Sequence, residues 1–167
     1  VLERLVTGKG IFQIVTIPEG LTVREIAALL DKMQIASQEK ILEAANDPAL
    51  LATMGLRGKG IEGYLFPNTY HFVPGTPERD ILLTMTEQFR KSVQPLLNQN
   101  VTEMTPHEVV TLASIIEKET GVEAERPLVS AVFHNRLKQQ MPLQSDPTVI
   151  YGLKDFNGNL TRKDLND

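Results

Sequence analysis

A chain of 167 residues, 41% hydrophobic and 23% charged, can bury the core of one medium domain or of a small module joined to a larger one, and wholesale disorder is excluded. A net charge of −4 and a pI near 5.4 argue against duplex DNA or an anionic membrane surface as main partner, since either favours a basic face. The absence of cysteine removes disulfides, thiol nucleophiles and Cys-held metals, and His71, His107 and His134 lack metal-ligand spacing.

No charge-free apolar run approaches the ~18 residues of a membrane span. The stretch Val109–Ile116 is only a helix face. There is no signal peptide, and the chain begins with Val, so the expectation is a fragment whose targeting segment lies elsewhere.

Leu2, Leu5 and Val6 suggest the end of a helix that stops at Gly8 and Gly10. Ile11, Phe12, Ile14, Val15 and Ile17, closed by Pro18-Glu19-Gly20, predict a strand and a turn. Thr22 with Glu25 forms a capping box before Ile26, Ala27, Leu29, Leu30 and Met33 at helical spacing. A short helix follows from Ser37 through Ala45. This strand–helix–helix order fits a small α+β module lacking one strand at its N-terminus. Three glycines in Gly55–Gly60 mark a linker. They also mark a shift in charge: seven basic and seven acidic residues lie up to Gly60, ten and fourteen beyond it.

After that stretch, Tyr64, Phe66, Tyr70 and Phe72 supply four of the nine aromatics, and Pro67 and Pro74 argue for an irregular strand or loop. Thr76-Pro77 opens a long helix to about Leu97, with Ile81, Leu82, Met85, Phe89 and Val93 on one face. Thr105-Pro106 opens another, over 108–120, which stops at Gly121. A third covers 125–140, with Leu128, Val132, Phe133 and Leu137 inward. The tail is rich in turns.

Three segments could carry chemistry. On the helix ending Ile115-Ile116-Glu117-Lys118-Glu119-Thr120, the apolar stripe centres between Val109, Ala113 and Ile116. Glu117 lies about 70° from that centre and Glu119 about 90° on the other flank. A carboxyl at the edge of an apolar stripe is partly desolvated and suited to hold a proton. The plainer reading is an amphipathic helix with solvated charges at its end. In Leu143–Gly152, Ser145 or Asp146 could cap a helix beginning at Pro147; alternatively Gln144, Ser145, Thr148 and Tyr151 suit sugar hydroxyls and amides, with Asp146 a second carboxylate. In Glu62–Tyr70, rings beside Asn68 suit a carbohydrate, while aromatics in a helical protein commonly serve the core.

Together Glu-Gly-Tyr-Leu-Phe-Pro-Asn-Thr-Tyr (62–70), Leu-Ala-Ser-Ile-Ile-Glu-Lys-Glu-Thr (112–120), Val-Phe-His-Asn-Arg-Leu (132–137) and Leu-Gln-Ser-Asp-Pro-Thr-Val-Ile-Tyr-Gly (143–152) strongly resemble the endolytic murein transglycosylases of the YceG-like family, over essentially the whole chain. The resemblance implies an α+β protein: a LysM-like module over 1–54, then a mainly helical, lysozyme-like catalytic domain over 55–167, both truncated. It implies Glu117 as the single catalytic acid/base, and Gln144, Ser145, Asp146 and Tyr151 with Tyr64, Phe66 and Asn68 as substrate-binding residues.

The implied reaction cleaves the β-1,4 bond between N-acetylmuramic acid and N-acetylglucosamine in peptidoglycan and leaves a 1,6-anhydro end, without metal or cofactor. An open groove is expected, with Glu117 on its floor and the aromatic and Gln-Ser-Asp motifs on its walls. The resemblance further implies a parent anchored in the bacterial cytoplasmic membrane before Val1, acting in the envelope, with a further cleft motif beyond Asp167. Nucleic acid is not an expected partner, and the cell-wall synthesis machinery stays open as one. Two rivals also stay open: a muramidase using Glu117 and Asp146, and a glycan-binding module without catalysis.

Overall fold

The structure, a computed structural model, describes residues 12–56, 58, 60–99 and 103–153. Its contacts divide between two compact units, Val1–Glu103 and Met104–Asp167. The helix end expected before Gly10 and the turn-rich tail after residue 153 lie outside the described residues. The architecture is α+β: helices with one small sheet.

In the first unit, β1 (Gln13–Ile17) buries Val15 and Ile17 and turns Ile14 and Thr16 outward, the alternation of a strand with one covered face. Pro18 and Gly20 (φ 76°) close it as the sequence suggests. Helix α1 (Val23–Lys32) begins at the expected capping box: Thr22 Oγ1 accepts from the Glu25 amide at 3.2 Å, and Glu25 Oε2 accepts from the Thr22 amide at 2.7 Å. Its buried residues Val23, Ile26, Ala27 and Leu30 follow helical spacing.

Helix α2 (Gln38–Ala45) buries Ile41 and Ala45. Helix α3 (Pro48–Thr53) is additional to the elements expected from the sequence, although its start is conventional: Asp47 Oδ1 accepts from the Ala49 amide at 2.9 Å, and Pro48 takes the first helical position.

The aromatic segment ends in β2 (Asn68–Phe72), antiparallel to β1, with Val15 opposite Tyr70 and Ile17 opposite Asn68. Tyr70 and Phe72 face inward and stack at 5.6 Å. Only the part before Asn68 is irregular.

The glycine stretch therefore lies inside the first unit, and residues after it pack with residues before it. The Glu62 carboxylate, for example, accepts from the Val23 amide at the start of α1 at 3.1 Å. Helix α4 (Glu78–Leu97) closes the core with Ile81, Leu82, Met85 and Phe89, as its spacing predicts; Val93 is only half-buried.

In the second unit, α5 (Pro106–Glu119) starts at another capping box, Thr105 with Glu108. The hydrogen bonds from the Thr105 side chain and backbone hold the Glu108 carboxyl below its ordinary range. A 3₁₀ turn (Glu123–Glu125) leads into α6 (Arg126–Lys138), and α7 (Asp146–Gly152) follows.

The buried faces here differ from those expected. Leu112 is buried in α5 while Ala113 is exposed; in α6 only Phe133 is buried, and Leu128, Val132 and Leu137 are exposed. Periodicity locates an apolar stripe but does not say whether anything covers it. Among the described residues of this unit, Leu112 and Phe133 are the buried apolar side chains, beside the buried polar Thr120 and Ser145.

Candidate active site

The candidate site forms where α5 ends and α6 begins. Helix α5 stops at Thr120, whose φ and ψ of −140° and 133° are extended. The buried Thr120 hydroxyl donates to Glu125 Oε2 at 2.7 Å and accepts from the Val122 amide at 3.1 Å. These two bonds pin the turn, which returns the chain so that Arg126, at the start of α6, reaches Glu117 in the last turn of α5.

Arg126 Nη2 lies 2.9 Å from one Glu117 carboxylate oxygen and 3.1 Å from the other. The two side chains keep 34% and 31% of their exposure respectively, so the pair is held yet open to solvent. Arg126 was not among the residues singled out from the sequence. Its signal was present: opposite charges nine residues apart across a glycine-containing break between two helices.

The two glutamates of the motif have different partners. Glu117 is half-buried and Glu119 exposed, the order that the helical wheel suggests. Glu119 Oε2 accepts from the Ser145 hydroxyl at 2.7 Å. Ser145, a residue only 3% exposed, stands at the N-cap position of α7, yet its hydroxyl makes no capping bond; it goes to Glu119 instead. The alternative that Ser145 caps the helix through its side chain is thus corrected. Its backbone carbonyl accepts from the Thr148 amide at 3.1 Å and from the Thr148 hydroxyl at 2.6 Å.

The loop before α7 is fixed at both ends. The Arg136 guanidinium donates to the Leu143 carbonyl, and Gln140 and Gln144 take left-handed φ angles of 56° and 51°. A left-handed Gln is strained relative to Gly, so it persists only where neighbouring bonds hold it. The bond from Ser145 to Glu119 directly after Gln144 is one such restraint. Gln144 is exposed, Asp146 is exposed as the first residue of α7, and Tyr151 is 64% exposed further along it. The second unit thus forms two polar pairs at the end of α5, Glu117 with Arg126 and Glu119 with Ser145, and Gln144 and Asp146 flank Ser145 in the chain.

Tyr64, Phe66 and Asn68 belong to the first unit. Tyr64 is buried, edge-to-face against Phe89 at 5.0 Å, and burial pushes its hydroxyl above its ordinary pKa. That is the core placement left open by the sequence. Phe66 is half-buried, and its carbonyl accepts from the Tyr70 hydroxyl at 2.6 Å. Asn68 is exposed, and its side-chain oxygen accepts from the Thr69 amide at 2.8 Å.

The end of α5 thus carries two carboxylates with different partners, a guanidinium from the start of α6 on Glu117 and a hydroxyl from the loop before α7 on Glu119. The chain belongs to the YceG-like family, whose model matches residues 1–167. It is 32% identical to an endolytic murein transglycosylase of Bacillus subtilis, aligned over 99% of this chain and 51% of that protein. It is 29% identical to an endolytic murein transglycosylase of Streptococcus pneumoniae, over 87% of this chain and 30% of that protein. A crystal structure of a YceG-like protein from Listeria monocytogenes superposes with a TM-score of 0.82 at 30% identity, covering 98% of this chain and 60% of that one. The chain therefore spans about half the length of the Bacillus relative and less of the Streptococcus one.

Proposed function

We propose that this chain carries the catalytic acid/base of an endolytic peptidoglycan lytic transglycosylase, with Glu117 in that role. The observation that carries the reading is the division of labour between the two glutamates. Glu119 is engaged by Ser145, whereas Glu117 is held by a guanidinium that remains a third exposed and thus faces a ligand-accessible surface. The names of the Bacillus and Streptococcus relatives support the same reaction class.

In this mechanism, protonated Glu117 donates to the glycosidic oxygen as the bond to C1 of N-acetylmuramic acid lengthens, through an oxocarbenium-like transition state. The resulting carboxylate takes the proton of the muramic acid 6-hydroxyl, which attacks C1. The product carries a 1,6-anhydro end, no water is consumed, and one carboxyl performs both steps. Ordinary glycosidases require two. Within the second unit Gln144, Ser145, Asp146 and Tyr151 are the proposed substrate-binding residues, and within the first unit Tyr64, Phe66 and Asn68. Of these, Ser145 and Tyr64 are buried, so they would act by holding neighbours in place.

The order β1, α1, α2, with β2 returning antiparallel to β1, supports a LysM-like module beginning in 1–54; β2 itself lies in the 55–167 part read as the lysozyme-like catalytic region. A membrane-anchored parent in the bacterial envelope, acting on glycan strands beside the cell-wall synthesis machinery, completes the proposal. No described helix is long and apolar enough to cross a membrane.

The test is mass spectrometry of glycan strands digested by the full-length protein. Anhydro ends are expected. Reducing ends would replace the reading with a two-carboxylate muramidase using Glu117 and Asp146, and uncleaved strands would leave a glycan-binding module.

A further inference from the structure

We propose that Arg136 is a positioning residue: its guanidinium clamps the loop before α7 on one side of Gln144 while Glu119 clamps it on the other, and together they hold Gln144 in the backbone conformation that receives a glycan strand. The proposal rests on the reading of the chain as acting on peptidoglycan strands and names two residues, Arg136 and Glu119, that set how tightly a strand is bound.

Three described residues other than glycine take left-handed φ angles, and all are glutamines: Gln34 and Gln140 at 56° and Gln144 at 51°. An ordinary side chain disfavours that region, which glycine enters freely. At Gln34 and Gln140 the cause is local, because each follows a helix whose end is closed by backbone bonds around it. The Ile35 amide reaches the Leu30 carbonyl at 3.0 Å, and the Met141 amide reaches the Arg136 carbonyl at 2.9 Å. Gln144 has no helix end before it; it lies in the loop between Lys138, where α6 stops, and α7.

Its two neighbours carry the restraint instead. Arg136, half-buried in the last turn of α6, donates to the Leu143 carbonyl. Ser145 donates its hydroxyl to Glu119 Oε2 at 2.7 Å. Each bond has a charged member and is stronger for it. One ties the loop to α6, and the other ties it to the last turn of α5, which also carries Glu117. Between them Gln144 stays exposed, with a carboxamide that both donates and accepts, as sugar hydroxyls and N-acetyl groups require. A strained residue held by the bonds of its neighbours, with its own side chain left to solvent, is a group presented to a ligand rather than to the core.

The clamp acts on binding rather than on the chemical step. Without either bond Gln144 relaxes to an ordinary φ, and a strand binds only the fraction of molecules that keep the left-handed form. The apparent dissociation constant then rises in inverse proportion to that fraction.

The experiment uses the full-length protein and purified glycan strands, with kcat and KM from new ends counted by mass spectrometry and Kd from labelled strands. R136M keeps the aliphatic stem and loses the donors; KM and Kd should rise about tenfold or more, the range for losing a hydrogen bond with a charged partner. Its kcat should stay within about threefold of wild type. R136K, which keeps a cationic donor, should fall between the two. E119A should raise KM as well, whereas E119Q keeps an acceptor and should not. Q144A should bind as weakly as R136M, and R136M/Q144A no more weakly than Q144A, since Arg136 acts through Gln144. A merely structural Arg136 would reduce the folded fraction, lowering kcat at unchanged KM, and its effect would add to that of Q144A.

Unchanged KM and Kd in R136M, or an R136M effect that adds to that of Q144A, overturns the proposal. Q144A with wild-type KM and Kd overturns it even if R136M does not fold. Strands bound but left uncleaved by wild type would instead end the transglycosylase reading, and Kd alone then decides the role of Arg136. Wild type that neither binds nor cleaves them overturns both.

Discussion

Replacing Ser145 by Ala tests whether the bond to Glu119 orders the loop beside the candidate site. Helix α7 has only seven residues, below the length at which a helix is stable by itself, so it depends on tertiary anchors. Ser145 is 3% exposed, and its hydroxyl donates at 2.7 Å to a carboxylate. A hydrogen bond to a charged group is worth about 1.5–3 kcal/mol, but Glu119 is exposed and water replaces the lost donor, which places the cost near 1 kcal/mol. That corresponds to roughly fivefold faster amide exchange for a segment that opens locally. Amide exchange by mass spectrometry on peptides covering residues 145–152 of the whole chain reads this directly.

Glu119→Ala should have the same effect, and the double variant little more, giving a coupling of about 1 kcal/mol. Glu119→Gln keeps an acceptor oxygen and should be nearly silent. Unchanged exchange in α7, or effects of the two alanine variants that simply add, would refute the anchor.

Two further expectations concern the first unit. Ile41 is fully buried in α2, so Ile41→Ala should lower stability by about 2–5 kcal/mol in denaturant titrations followed by circular dichroism. Burial pushes the Tyr70 hydroxyl up to about 12 from its ordinary 10.0. Its proton is therefore held more tightly in the folded chain; the associated stability is complete below pH 10 and is lost as pH rises from there towards 12. Tyr70→Phe should flatten that alkaline loss at a cost of about 1 kcal/mol at neutral pH, for the bond to the Phe66 carbonyl. An unchanged alkaline slope would count against it.

Local signals in the sequence were read correctly where local chemistry decides. The Thr22–Glu25 box, the turn after Ile17 and the buried face of α4 depend on neighbours a few residues apart. The pairing of β1 with β2 does not, since more than fifty residues separate Val15 from its partner Tyr70. A strand edge does not declare which distant segment fills it. The exposed Leu128, Val132 and Leu137 failed for a related reason: an apolar stripe states a capacity for burial, and its cover is a tertiary fact. At the end of α5, the greater burial of Glu117 than of Glu119 was visible on the helical wheel. Arg126 was hidden because its approach depends on the turn that Thr120 and Glu125 pin.

The central claim is that one carboxyl, that of Glu117, performs the acid and base steps. It is met most directly by comparing E117Q with E119Q in the full-length protein, with anhydro ends counted by mass spectrometry and folding checked by circular dichroism. The amide keeps the shape of the side chain but supplies no proton, so E117Q should lose about 10²-fold or more of the activity. E119Q should stay close to wild type. Equal damage from both substitutions, or anhydro ends still produced by E117Q, would contradict the account.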